Sequence, residues 1–309
     1  MGVHDVRRLA GGASSLTFAG TTDDSRQVVL KVAPPGVPPV LHRDVLRQAR
    51  LLEALRGTAV PVPEVLWQDP GDPPDVPPLF AMGFVEGSSL EPLFDLDDDT
   101  HEDRAVVRDR MTAAARTLAA LHTITPAAIG LDDEPVVGLV DEVDRWCRLL
   151  ETVDPELAPS WRDVADTLRT IPVASVSPAV VHGDFRLGNV LATGAVINAV
   201  IDWEIWSVGD PRIDLGWFLV NADPSTYRRP TGYVGALPTP AELADRYAEA
   251  SGREVPDLAT FEALACFKST ATWSLIVKHN RRRAAPDPDL EALALVLPHL
   301  LRRAHDLLA

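Results

Sequence analysis

Apolar residues come in short alternating runs over the first ninety positions and at helical spacing over most of the remainder. Residues 14–18 and 27–32 read as strands joined by the polar turn at 21–25. Prolines at 34, 35, 38 and 39 then break the chain. Over 41–55 apolar residues fall at 41, 45, 46, 52 and 55 with charges between them, which predicts a helix. Pro61-Val62-Pro63 ends it, 65–67 and 79–85 read as further strands, and Gly87 marks a hinge. Beyond about residue 90 the pattern is helical. Thr100 and Asp103 resemble a capping box, with Asp where Glu is usual, ahead of a helix to Leu121. Further helices are predicted near 139–151, 160–170, 239–251, 257–283 and 288–308. The sum is an α+β chain. A small β-rich lobe at 1–87, with its hinge at 82–87, precedes a large helical lobe at 88–309.

One stretch breaks the helical pattern and carries chemistry. Residues 180–204 read VVHGDFRLGNVLATGAVINAVIDWE. An apolar pair leads into His182-Gly183-Asp184, Asn189 follows Asp184 by five residues, and a second apolar run ends at Asp202. The plain reading is a turn between buried strands, with Asp184 and Asn189 as turn formers. The order and spacing are also those of a kinase catalytic loop followed by a metal-binding strand end. There one carboxylate orients a hydroxyl, and an amide and a second carboxylate hold Mg²⁺.

Composition narrows the picture. The 309 residues suffice for two lobes, and 46% hydrophobic content supplies a core. A formal charge of −16 disfavours nucleic acid or an anionic membrane as the main partner. Cys147 and Cys266 stand far apart without metal-ligand spacing, as expected of reduced thiols in a cytoplasmic protein. The first residues, MGVHDVRRLAGG, hold no apolar targeting core, and no run approaches the roughly 18 apolar residues of a membrane span. Asp95, Asp97, Asp98, Asp99, Glu102 and Asp103 read as a solvated loop and helix start, with cation binding as the alternative.

The segments LAGGASSLTF, VVLKV, HGDFRLGN, VIDWE and GDPRIDLGW resemble, in the same order, the aminoglycoside phosphotransferase family. The likeness is nearest to the branch found alone or fused to acyl-CoA dehydrogenases. It implies a protein-kinase-like bilobal fold and transfer of the γ-phosphate of ATP (or GTP), with Mg²⁺, to a hydroxyl of a small molecule. On this resemblance Asp184 is the candidate base, while Asn189 and Asp202 are candidate Mg²⁺ ligands with the oxygen donors a hard cation prefers. Lys31, at the end of an apolar strand, would contact the α- and β-phosphates. Gly11, Gly12 and Ser14 would let backbone approach the phosphates, without the GK[ST] of a P-loop. Met82, Phe84 and Val85 fall in the hinge, whose backbone would read the adenine edge. His182 is expected to support the loop. Arg186 is open between a phosphate and a surface acid. Asp210 and Asp214 are expected to brace the loop.

Two points depart from that pattern. Gln48 falls where an acid normally pairs with the strand lysine, so Asp44 or Glu53 would have to substitute. The helix over 261–283 carries Lys268, Lys278, His279, Arg281, Arg282 and Arg283 against Glu262, with Phe267 and Trp273 adding apolar area. In this fold the acceptor lies against the C-terminal helices, so the charges favour an anionic or apolar acceptor, such as a hydroxyacyl compound, over a cationic aminoglycoside. A solvated basic face is the plain alternative. A nucleotide-binding pseudokinase that regulates a partner stays open because of Gln48. A protein kinase is disfavoured, since no DFG…APE segment follows Asp202.

Overall fold

The computed structural model describes residues 2–9, 15–96 and 102–309. Gly11, Gly12, Ser14, Asp97, Asp98, Asp99 and the capping Thr100 lie outside the described residues. Five antiparallel strands open the chain: β1 (Val3–Arg8), β2 (Leu16–Thr22), β3 (Gln27–Val32), β4 (Val65–Asp69) and β5 (Leu79–Gly83), in the spatial order β1-β2-β3-β5-β4. Strand β1 is absent from the sequence reading because it has no buried face to announce it. All its residues but Val3 are exposed, and backbone pairing to β2 holds it. In the middle of the sheet Lys31 stands opposite Phe80, and Val29 opposite Met82. Residues two apart share a face of a strand, so these four side chains line one side of the sheet.

Helix α1 (Val45–Leu55) packs against β4 and β5, burying Val45, Gln48, Ala49, Leu51, Leu52 and Leu55. It starts later than its apolar pattern predicts. Residues 41–43 form a 3-10 turn, and the Asp44 carboxylate caps the helix by accepting the Arg47 N–H at 3.0 Å. Asp44 is thus committed to the cap and Glu53 faces solvent, so neither supplies the missing acid.

The rest is mainly helical. Helix α2 (Arg104–Thr123) is capped by Asp103, which accepts the Ala105 N–H at 2.7 Å. Then come β6 (Val136–Val137), α3 (Leu139–Leu150), α4 (Trp161–Thr170), β7 (Ala179–Val181), the hairpin β8 (Val190–Thr193) and β9 (Val196–Val200), and β10 (Ser207–Gly209). Strands β6, β10 and β7 form a second small sheet. Helices α5 (Arg212–Asn221), α6 (Pro224–Tyr227), α7 (Pro240–Ser251), α8 (Leu258–Asn280), α9 (Pro288–Ala292) and α10 (Leu297–Leu308) complete the chain. The single helix expected over 288–308 is divided. Pro298 cannot sit inside a helix, so α10 restarts with it in the first turn, after a 3-10 turn at 293–295.

Helix α8 is the centre of this part, packed on α5, α10 and α3. Its contact with α5 requires Gly216, where a Cβ would lie 2.4 Å from the Phe261 carbonyl oxygen. One apolar cluster runs from α1 and β5 through α2 to α5 and α7, so the sheet and the helices share a core. Among the described residues, no helix is long and apolar enough to cross a membrane. Both cysteines are free and buried.

Candidate active site

The segment 182–189 is built by a set of convergent hydrogen bonds. The buried Asp214, on α5, accepts the His182 N–H at 2.6 Å and the Gly183 N–H at 2.8 Å. His122 of α2 lies 3.3 Å from the same carboxylate and 2.8 Å from the Tyr247 hydroxyl. Burial would raise the Asp214 carboxyl, but the His122 hydrogen bond and the nearby histidines outweigh it and hold the group below its ordinary value. Of the two aspartates expected to brace the loop, Asp214 does so. Asp210 instead grips the Arg212 guanidinium at 2.6 Å. Gly183 has φ +84°, and a Cβ there would sit 2.5 Å from the Ile205 carbonyl, so glycine is required.

His182 joins the loop to the second strand end. Its Nδ1 accepts the Asp184 N–H at 3.1 Å, which leaves Nε2 to donate to the Ile201 carbonyl at 2.9 Å. Its ring also lies 4.4 Å from that of Trp203. A second tie runs from the Ile201 N–H to the Asn189 carbonyl, 2.9 Å. These bonds tie the backbone just before Asp202 to Asn189 and His182.

Asp184 meets two donors on one oxygen. Its Oδ2 accepts from Asn189 Nδ2 at 2.8 Å and from Arg186 Nε at 3.3 Å. Asn189 Nδ2 also donates to the Asp184 carbonyl at 2.8 Å, so both amide hydrogens are used and the amide orientation is fixed. Its Oδ1 is the atom left for a cation. Asp202 adds a carboxylate, and its φ of +66° is unusual for a residue with a side chain, a conformation that aspartate tolerates and that gathers at functional sites. An amide oxygen and a carboxylate suit Mg²⁺, which takes a few protein oxygens and completes its shell with water and phosphate. Among the described residues no three His, Cys, Asp or Glu groups gather as an all-protein metal cage.

Lys31 reaches Asp202 directly, 3.3 Å from Nζ to Oδ1. Both line a narrow cleft with Gln48, Leu52, Phe80, Met82, Ile201 and Trp203. Gln48 is 3% exposed, and its Nε2 has no partner among the described residues. Along the hinge the Gly83 N–H goes to Glu64 and the Phe84 N–H to Gln27, at 2.9 and 3.2 Å. Among the described residues no group takes the Val85 N–H. Met82 is buried on the cleft wall, while the Phe84 ring is exposed. Gly87 lets the chain pass close to β8, where a Cβ would lie 2.9 Å from the Ala192 nitrogen.

The basic residues are placed differently from the sequence expectation. Arg186 meets an acid, but not a surface one. Its Nη1 lies 2.5 Å from the largely buried Glu91, which also accepts the Gly188 N–H at 2.6 Å. Burial opposes the Arg186 charge, yet Asp184 and Glu91 outweigh it and hold the guanidinium above its usual pKa. Glu91 itself escaped the sequence reading, because a single Glu beside Pro92 carries no local signal. On α8, Lys278 donates to the Thr152 carbonyl, and Arg281 pairs with Glu156 and Glu291 at 3.0 and 2.8 Å. Arg282 and Arg283 are exposed. These cations serve local pairing and solvent, which favours the plain alternative of a solvated basic face. Lys268 is buried against Gly183. Trp273 stacks on Phe94 at 4.7 Å.

The fold is similar to that of known phosphotransferases. A structure of an aminoglycoside phosphotransferase candidate from Ralstonia eutropha superposes with TM-score 0.80 at 22% identity, covering 99% of this chain and 92% of that one. Macrolide 2'-phosphotransferase MphH from Brachybacterium faecium gives TM-score 0.58 at 22% identity, with 94% and 91% covered. Aminoglycoside phosphotransferase APH(4)-Ia, in a ternary complex with AMP-PNP and hygromycin B, gives 0.62 at 17% identity, with 97% and 94% covered. In sequence, acyl-CoA dehydrogenase family member 11 of Gallus gallus is 27% identical over 288 residues, or 86% of this chain and 36% of that protein. Member 10 of the same family, from Mus musculus, is 27% identical over 222 residues, or 70% and 20%. The chain therefore spans about a third or less of these curated relatives. The model of the phosphotransferase enzyme family, which carries the abbreviation APH, matches residues 5–265, and the chain belongs to that family.

Proposed function

We propose that the protein transfers the γ-phosphate of ATP to a hydroxyl of a small molecule, with residues 1–87 as nucleotide lobe and 88–309 as catalytic and acceptor lobe. The observation that supports this reading is that two pairs, Asp184 with Asn189 and Lys31 with Asp202, are tied together through the backbone of Ile201, which bonds to both His182 and Asn189. With Asp184 Oδ2 held by Asn189 and Arg186, Oδ1 is the atom left to accept the acceptor hydroxyl proton. The acceptor oxygen then bonds to the γ-phosphorus, the bond to the β–γ bridging oxygen breaks, and ADP leaves. Asn189 and Asp202 would hold Mg²⁺, which neutralises phosphate charge when bound. Lys31 would contact the α- and β-phosphates, Val85 would offer its N–H to the adenine edge, and Gly11, Gly12 and Ser14 would approach the phosphates. Similarity to the acyl-CoA dehydrogenase family proteins supports a hydroxyacyl acceptor over an aminoglycoside. An ATP-consumption screen over hydroxy acids, their thioesters and aminoglycosides tests the acceptor. Titration of nucleotide with and without Mg²⁺ tests the metal site. Asp202→Ala and Asn189→Ala are expected to weaken the Mg²⁺-dependent part of binding, and unchanged metal-dependent affinity in both would remove them from it.

A nucleotide-binding regulator without transferase activity is favoured by one observation, the glutamine at position 48. An unpartnered buried donor costs about 1–3 kcal/mol, and a carboxylate in its place would face the cleft that holds Lys31. Gln48→Glu is therefore expected to keep or raise turnover, measured as kcat/KM for ATP. A loss of turnover in that variant would assign the Gln48 amide a direct role. A wild-type protein that binds ATP and phosphorylates nothing across the screen would support the regulator.

A further inference from the structure

The buried lysine of α8 is unexpected in a helix core. Lys268 is 5% exposed, and its ammonium donates to the Gly183 carbonyl oxygen, one residue before the candidate base. The charge lies 3.6 Å from the centroid of the Trp217 ring and 5.5 Å from that of Trp146. Trp146 is fixed in turn by its Nε1–H bond to Glu142, 2.9 Å, and Glu142 pairs with Arg145 at 3.3 Å. The ammonium is thus held by two indole faces and one carbonyl, with the carboxylates of Glu142, Asp184 and Asp214 acting on it electrostatically. Burying a charge on such terms is costly, and burial pushes this lysine down to about 8. A charge buried on such terms is weak evidence of a stabilising role.

What the charge supports is one peptide group. The peptide between Gly183 and Asp184 is fixed at both ends: its carbonyl by Lys268, and its N–H by His182 Nδ1. The N–H groups of His182 and Gly183 before it are fixed by Asp214. Without Lys268 the peptide that carries the Asp184 Cα keeps one anchor, and it can tilt while the strand behind it stays in place. We propose that Lys268 is a positioning residue for Asp184, acting through the Gly183 carbonyl to set the direction of the carboxylate. The inference rests on the phosphotransfer reading for its effect on turnover, and on geometry alone for its effect on the loop.

The test uses the full-length chain with Lys268→Met, which keeps the stem and removes the charge, and Lys268→Gln, which keeps a donor without the charge. Because the acceptor is unidentified, turnover is read as release of phosphate from Mg²⁺-ATP to water, and loop order as amide hydrogen exchange over residues 182–186. Lys268→Met is expected to lower kcat by about 10–100-fold, the effect of a small misplacement of a reacting group. The KM for ATP should stay near wild type, Tm at pH 7 should not fall, and exchange over 182–186 should rise. Lys268→Gln should lie between, and it carries the test if the methionine variant does not fold. Wild-type kcat in a folded Met variant overturns the proposal. So does a parallel fall of kcat and Tm with exchange over 182–186 unchanged, which would mark a packing role. If the wild type releases no phosphate to water, amide exchange over 182–186 alone decides whether Lys268 orders the loop, and the phosphotransfer reading is left to the acceptor screen.

Discussion

Asp184→Ala is expected to lower turnover by about 10²–10⁴-fold, the usual contribution of a positioned general base, while Mg²⁺–nucleotide affinity stays nearly intact. The two effects separate because the groups that would bind nucleotide and metal keep most of their anchors without the Asp184 carboxylate. Lys31 is set by β3 and meets Asp202, and Asn189 is tied to the strand end at Ile201 through its own carbonyl. Asn189 also keeps one of its two acceptors, the Asp184 backbone carbonyl, after the carboxylate is removed. Arg186 loses one acid partner and keeps Glu91. Steady-state kinetics together with nucleotide titration checks this. Wild-type turnover in the purified variant would reject Asp184 as the base, and a large loss of nucleotide affinity would move it to the binding site.

The parts legible in the sequence share a property: their signals are local. Strand β3 has the bounds its apolar run predicts, and Asp214 was legible in the short block GDPRIDLGW. The groups that hold the loop from a distance were not legible. Glu91 lies 95 residues before Arg186, and Lys268 lies 85 residues after Gly183. Neither has a periodic context that marks it, and Lys268 invites the opposite reading because Lys278, His279 and three arginines cluster at the end of the same helix. A count of basic residues at 261–283 describes a charged face. Their partners show instead a helix cation turned inward, two tied to neighbouring backbone or acids, and two in solvent. Helix starts fail for a related reason. An apolar pattern begins where burial begins, whereas Asp44 and Asp103 start α1 and α2 by capping, three residues later than the pattern or the capping box suggested.

Asp214→Asn is expected to be the most destabilising of the substitutions considered, because the carboxylate is the hub under the loop. It is 0% exposed and accepts two backbone N–H groups, with His122 against the same oxygen as the His182 N–H. An asparagine keeps the shape but turns an NH₂ toward one of those donors, leaving a buried N–H without an acceptor. Removing one partner from a buried charged network costs about 3–5 kcal/mol, or on the order of 10 °C in Tm for a chain of this size. The pH dependence has a definite sign. The folded Asp214 pKa lies below its ordinary value, so its contribution is complete above the unfolded carboxylate value of about 3.9 and is lost as pH falls through the folded one. The stability gap between wild type and Asp214→Asn should therefore be level from about pH 5 to 8 and close in stronger acid. Denaturant unfolding across that range measures it. A gap that stays open below the folded pKa would mean that packing, rather than the charge, is what Asp214 supplies. A gap under about 1 kcal/mol at neutral pH would mean that the loop is held chiefly by His182 and Lys268.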